Sequence, residues 1–437
     1  MPRPVKFLLV ILGFMLVMCM VVSIPPIRTR LGSLFTRIQY ALFPPKESLF
    51  VPQSSVATTV FETLQSARDL PTLVPSFPDD TPTTPPIDTS PQPTATNAPA
   101  RIVLEGIRYM DQHFGWNMCA PANLAMALSY WGWPGTAVDV ARAVKPFDRD
   151  KNVMPYELVD YARNDAHLEA VLRYGGTITL IKQLLAGGFP VLIEKGAMIR
   201  ETISGQVTWM GHYSTVVGYD DDAEAFITRD SYYSPPDYPL DYMVTYSDFI
   251  QGWRAIDYTF IVIYKPDMTD KLFSILRDYG DALHSDQIAI QIAQDEIQTL
   301  GGLDRFFARY NLGSSLVRLN NFADAVTAYD QAYVYLNSLP HEQVPPKIGR
   351  MTWYQTGPYY AYFYTGRYQD VIDLATSSLN MTDEPFMEES YYWRGRSRAS
   401  IGDNQDAAVD LCKSLEYHPG FEPTLTLMQT LNLPPCP

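Results

Sequence analysis

Phe7 to Ile27 contains no charged residue. As a helix it would run roughly 31 Å, enough to cross the hydrocarbon core of a bilayer. Arg3 and Lys6 precede it and Pro25-Pro26 close it. An uncleaved anchor is favoured over a cleaved signal peptide on two grounds. The apolar run exceeds the usual h-region of about 7–15 residues, and no small-x-small site follows it. Arg28, Arg30 and Arg37 lie beyond the span and blur the positive-inside signal, so charge leaves its orientation open. A second break in composition falls between Pro71 and Ala100. The run TPTTPPIDTSPQPTATNAP has almost nothing apolar to bury and reads as an extended, semi-rigid tether. These two features divide the chain into an anchor or signal segment (1–27), a juxtamembrane and Pro/Thr-rich linker (28–100) and two folded parts (101–266 and 267–437). They place the folded parts outside the cytoplasm, tethered to the cell membrane, or secreted if the first segment is removed.

Charge narrows the functions. The first 50 residues hold six basic side chains and one acid, and the rest of the chain carries 27 basic against 47 acidic residues. A body this acidic repels phosphate backbones, which excludes nucleic acid as a partner class. No GxxxxGK[ST], dinucleotide fingerprint, HExxH or CxxC occurs, so no cofactor or metal is implied. Asp220-Asp221-Asp222 reads as a solvated hairpin tip. Of the four cysteines, Cys19 lies in the apolar run, and Cys412 and Cys436 are close enough in sequence to pair. Cys119 is left as a lone thiol in an exported domain.

The stretch 101–266 reads as α+β. Helices are predicted over Ala122–Leu128, Ala137–Val144, Met154–Asn164 and Ile178–Leu185. Strands follow over Pro190–Glu194, Tyr213–Tyr219, Ala225–Thr228 and Tyr258–Tyr264, which points to an antiparallel sheet. Cys119 stands at the entrance of the first helix, before Pro121. There the free N–H groups and the positive end of the helix dipole favour a thiolate. A thiolate needs a base. His212 opens a strand-like run after Gly211, and Asp230 ends the next one, within reach if a hairpin turns through Asp220–Glu224. Gln112 is positioned upstream to offer a side-chain amide to an oxyanion, beside the Cys119 N–H. His113 reads as solvated. Trp209 and Tyr232-Tyr233 are candidates for a substrate cleft, with packing the plainer reading.

The order Gln112, Cys119, His212, Asp230 is that of papain-like cysteine peptidases. The stretch from Gln112 through Cys119-Ala-Pro-Ala to Gly132 resembles the peptidase C39-like family more narrowly, as do Leu-Leu-Ala-Gly-Gly-Phe-Pro-Val-Leu-Ile and Gly211-His212-Tyr213. The resemblance implies a papain-like fold over roughly 165 residues, with Cys119 as nucleophile, His212 as base and acid, Asp230 as orienter and Gln112 as oxyanion donor. The family's glycine after the cysteine is Ala120 here. Alanine would be strained at positive φ and fits as a first-turn helical residue.

Beyond residue 270 the pattern is helical. Arg309 to Ala332 resembles a tetratricopeptide repeat, with Gly313, Ala325, Tyr329 and Ala332 at its small and aromatic packing positions. A second copy shows in Gly395, Ala407, Leu411, Ser414 and Pro419, and a degenerate one in Gly366–Ala375. Trp353, Tyr354, Tyr359, Tyr360, Tyr362 and Phe363 are expected in its core. Together these readings give a membrane-anchored extracytoplasmic cysteine peptidase acting on a peptide or protein substrate, with helical repeats that bind substrate or a protein partner. The alternatives are a non-catalytic peptide-binding surface scaffold, and a thiol-dependent amidase or acyltransferase.

Overall fold

The computed structural model describes residues 49–53, 99–147, 149–201, 205–233, 235–382 and 384–436. The apolar run and nearly all of the Pro/Thr-rich stretch lie outside these. Among the described residues no helix is long and apolar enough to cross a membrane.

Mixed helix and sheet come first, then helices alone. The first part runs β1 (Arg101–Val103), α1 (Cys119–Tyr130), α2 (Ala137–Val144), α3 (Pro155–Asn164), β2 (Glu169–Arg173), α4 (Ile178–Ala186), β3 (Val191–Arg200), β4 (Val207–Asp220), β5 (Ala225–Arg229), β6 (Tyr242–Thr245), α5 (Tyr246–Arg254) and β7 (Phe260–Tyr264). The strands make one antiparallel sheet in the order β2-β7-β3-β4-β5-β6, with β1 paired to the far end of β4. The expectation that all helices precede all strands needs correction. β2 lies between α3 and α4, and its short run Glu-Ala-Val-Leu-Arg is charged at both ends, which hides the strand in the sequence. Gly218 is required where β1 meets β4, because a Cβ there would lie 2.2 Å from the Ile102 carbonyl oxygen.

Alternation along β4 serves two cores. Tyr213 joins Leu192 and Ile261 under α1, α2 and α3, while Val216 joins Ile193, Val191 and Val262 under α4. Helix α1 is buried from Ala120 to Ser129, so it is the central helix of its layer. Burying an aliphatic side chain of this kind contributes about 1.5–3 kcal/mol.

The second part comprises α6 (Thr269–Leu276), α7 (Ala282–Thr299), α8 (Gly302–Arg318), α9 (Phe322–Ser338), α10 (Met351–Tyr354), α11 (Gly357–Tyr364), α12 (Tyr368–Leu379), α13 (Glu388–Ser400), α14 (Asn404–Tyr417) and α15 (Glu422–Thr430). Glycine sets the approach of neighbouring helices. A Cβ at Gly313 would lie 2.7 Å from the Tyr329 ring across α8 and α9, and one at Gly395 would lie 3.1 Å from Asp410 and Leu411 across α13 and α14. The aromatic cluster packs inward, with Trp353, Tyr354, Tyr359 and Tyr362 buried and Tyr360 and Phe363 against them. Cys412 and Cys436 form a disulfide. Residues 49–53, within the juxtamembrane and linker segment 28–100, dock on this helical part. Phe50 is buried against Tyr333 and Tyr362, and the Gln53 N–H donates to Asp370 Oδ1.

The helical part also packs on the sheet. The Trp209 N–H donates to the Pro346 carbonyl, Arg350 pairs with Glu201, and Asn311 and Gln355 donate to the carbonyls of Arg254 and Ala255. Trp209 is thereby a packing residue rather than a cleft wall, lying between Phe307 and Tyr354.

Candidate active site

Cys119 is the first residue of α1, with Met118 at the N-cap, Pro121 in the first turn and the Ala122 N–H returning to the Met118 carbonyl. The earliest N–H groups of a helix have no intrahelical acceptor, so this end carries partial positive charge beside the sulfur. Ala120 is helical and outside the positive-φ residues, so the missing glycine leaves no backbone strain. Cys119 as a residue is half-buried.

β4 brings His212 to that sulfur. The hairpin expected between His212 and Asp230 is formed by β4 and β5, which pair from Thr215–Arg229 to Asp220–Ala225 and turn through residues 221–224. His212 Nε2 lies 2.6 Å from Asp230 Oδ1. This leaves Nδ1 as the ring nitrogen available to Cys119, and the imidazole and the thiol lie close enough for each to shift the other's pKa. Both His212 and Asp230 are buried.

Asp230 has partners on each oxygen. Oδ1 also accepts from the Tyr232 N–H at 3.0 Å, and Oδ2 accepts from Lys195 Nζ at 3.1 Å. Burial alone would raise this carboxyl, but the charges of His212 and Lys195 hold it well below the usual carboxylate range. Burial likewise disfavours a charged His212. Asp230, through charge and hydrogen bond, and then Cys119 outweigh that and lift the imidazole to about 9. For Cys119, burial raises the thiol. The hydrogen bond and charge of His212, a backbone bond from Tyr213 and the charge of Lys145 more than offset it, so the thiol falls below its ordinary value. The directions favour ionisation of the thiol and protonation of the imidazole, with an ionised carboxylate behind the ring.

Gln112 is bound to the residue that follows Asp230. Its N–H donates to the Ser231 carbonyl, and Ser231 Oγ donates to Gln112 Oε1 at 2.7 Å. With its oxygen engaged in this way, the Gln112 amide presents Nε2 as its donor. Asn123 Nδ2 lies 2.7 Å from Ser231 Oγ and 2.9 Å from both the Cys119 and Tyr213 carbonyls, while Thr215 Oγ1 donates to Asn123 Oδ1. One buried amide therefore ties α1 to β4 and to the residue after Asp230.

The four residues singled out in the sequence are thus neighbours in space. Those that sequence reasoning missed are Asn123, Ser231, Lys195 and Lys145. Asn123 stands one helical turn after Cys119, and Ser231 follows Asp230 directly, so position alone could have flagged both. Lys195 is cross-strand from His212, which only the register shows. Lys145, buried, donates to the carbonyls of Trp116 and Asn117 just before Cys119. His113 is exposed and bonded to Asp111 at 2.8 Å. Tyr232 covers the His212 ring at 6.2 Å, and Tyr233 stacks on Tyr242 instead. The Asp220–Asp222 tip is not wholly solvated, because Asp221 is held by Lys182 and Tyr246. The helical part contributes one wall: Tyr354 lies against Gly211, where a Cβ would be 2.5 Å from the ring.

The Peptidase_C39 like family model matches residues 104–260, the mixed sheet-and-helix part of the chain. Among solved structures, a Bacillus anthracis protein assigned as a C39-like peptidase is 19% identical, aligning over 38% of this chain and 98% of that one with a TM-score of 0.30. No curated protein matches the chain. The family match gives residues 104–260 a cysteine-peptidase-like fold; the helical part lies beyond it.

Proposed function

We propose that this chain is a membrane-anchored extracytoplasmic cysteine peptidase, with Cys119, His212 and Asp230 as its catalytic residues and Gln112 as an oxyanion donor. The observation that carries the reading is the close His212–Asp230 contact beside a cysteine at a helix N-terminus, with the imidazole and the thiol near enough to act on each other. The Cys119 thiolate attacks the peptide carbonyl and forms an S–acyl bond. The developing oxyanion is met by the Cys119 N–H and Gln112 Nε2. The His212 imidazolium gives its proton to the leaving amine. Neutral His212 then takes a proton from water, whose oxygen displaces the thiolate and releases the acid. Asp230 keeps the ring oriented throughout and offsets its positive charge.

The uncharged run and the Pro/Thr-rich tether support the membrane location, and the Cys412–Cys436 disulfide accords with an oxidising compartment. The paired helices closed by Gly313 and Gly395 support a tetratricopeptide-like array that binds substrate or a protein partner. The test is turnover of a peptide library by the full-length protein, with Cys119→Ala as control. Release of new amino termini by the wild type alone supports the reading. Tight peptide binding with no hydrolysis in either protein overturns it in favour of a scaffold.

A further inference from the structure

Away from Cys119, three side chains with metal-ligating atoms converge where the two parts of the molecule meet. Asp150 lies in the loop between α2 and α3, Glu388 is the first residue of α13, and His418 follows α14. Asp150 and Glu388 are each only 2% exposed. One donor atom from each residue lies within 4.8 Å of the other two. A divalent ion about 2.0–2.2 Å from each nitrogen or oxygen ligand spans donor pairs up to about 4.4 Å apart, so small side-chain rotations complete the set. His418 Nδ1 and Glu388 Oε1 are 3.0 Å apart, a separation that two ligands of one ion can keep.

A second observation points to a ligand. Glu388 Oε2 is buried and accepts no hydrogen bond among the described residues. A buried carboxylate oxygen without a donor costs several kcal/mol unless a proton or a cation meets it. The surroundings favour a cation. Glu157 and Glu389 lie close enough to Asp150 and Glu388 for the carboxyls to repel one another when ionised. Lys145 and Lys151 offset the charge of Asp150 in part, while Lys145 also donates to the carbonyls of Trp116 and Asn117 and Arg149 and Lys151 pair with Glu384.

We propose that Asp150, Glu388 and His418 form a metal site that clasps the helical part to the loop behind the nucleophile. One imidazole with two carboxylates suits zinc or manganese better than calcium, which prefers oxygen ligands throughout. The clasp acts on a loop that also holds the approach to Cys119, since Asn117 Nδ2 lies 3.5 and 3.4 Å from the carbonyls of Asp150 and Lys151. Its ion is structural, and the proposal stands whether or not Cys119 is catalytic.

The test strips the full-length protein with a chelator and titrates zinc, manganese and calcium separately, reading stoichiometry by elemental analysis after dialysis and unfolding temperature by calorimetry. Expected is one zinc or manganese ion per chain, a higher unfolding temperature, and at least a roughly tenfold loss of affinity in Glu388→Gln and in His418→Asn. If one variant does not fold, the other carries the comparison. Cobalt substitution locates the ion: a spectrum without a thiolate charge-transfer band supports the site, and such a band places the ion on Cys119 and overturns it. Failure of all three ions to bind stoichiometrically, or unchanged affinity in the folded variants, also overturns it and leaves protons as the cluster's only counterions.

Discussion

Asp230 and Glu194 are both 1% exposed and lie on either side of β4, yet they favour opposite protonation states. Asp230 is met by His212, Lys195 and the Tyr232 N–H and stays ionised. Neither Glu194 oxygen has a hydrogen-bond partner among the described residues. Burial, and then the charge of Cys119, push Glu194 well above the ordinary carboxylic range, and the nearby Tyr213 tempers this only in part. Burial by itself therefore neutralises an acid at this depth. A buried carboxylate stays ionised only where the sheet delivers cations. Strand alternation does the sorting, because Lys195 and Glu194 are adjacent and one points to Asp230 while the other does not.

The largest expected effect breaks the Asp230 side at its far end. Cys119→Ala should lower peptide turnover by at least about a thousandfold, measured as initial rate at saturating peptide. Next, Asp230→Asn should lower kcat by roughly a hundred- to ten-thousandfold while the protein remains folded by circular dichroism. An Asn there leaves His212 and Lys195 without the carboxylate charge that holds them. An unchanged rate would mean that the Asp230 contact is only structural.

Two smaller effects concern packing and the Glu194 side. Gly211→Ala should lower stability by about 1–3 kcal/mol in denaturant melts, because the added methyl meets the Tyr354 ring. An unperturbed melt would show that the helical part does not press on β4. Glu194→Gln should change the pH dependence of stability. A folded-state value raised above the unfolded one means that the folded chain binds more protons. Wild-type stability should therefore fall as pH rises above the unfolded value of about 4.3, by up to about 1.4 kcal/mol per unit until the folded value is passed. The variant should lose that slope. His212 has the same sign with a different window. Its contribution is complete below the unfolded value of about 6.5 and is lost as pH rises through about 9.

Much of the Asp230 side was legible in the sequence. A cysteine before a proline at a helix start, and a histidine and an aspartate on consecutive strand-like runs, are local patterns, and a short hairpin makes their meeting a matter of register. Lys195 was not legible, since a lysine on a strand declares its partner only once the pairing of β3 with β4 is known. Nor was Glu194, since the strand run Pro190–Glu194 does not show that its last side chain is buried. The docking of the helical part on the sheet escaped as well, because repeat-like spacing specifies neighbours within an array and says nothing of what the array rests on. The Asp150, Glu388 and His418 cluster combines residues from both parts of the chain, so no spacing announces it.

The rate of Cys119 alkylation by iodoacetamide as a function of pH tests the central claim most directly, with His212→Ala alongside. Asp230, His212 and the helix end together predict rapid alkylation well below the ordinary thiol value of about 8.5, and a shift of the profile to higher pH in the variant. A wild-type profile centred at or above that value, unmoved by loss of His212, would contradict the account.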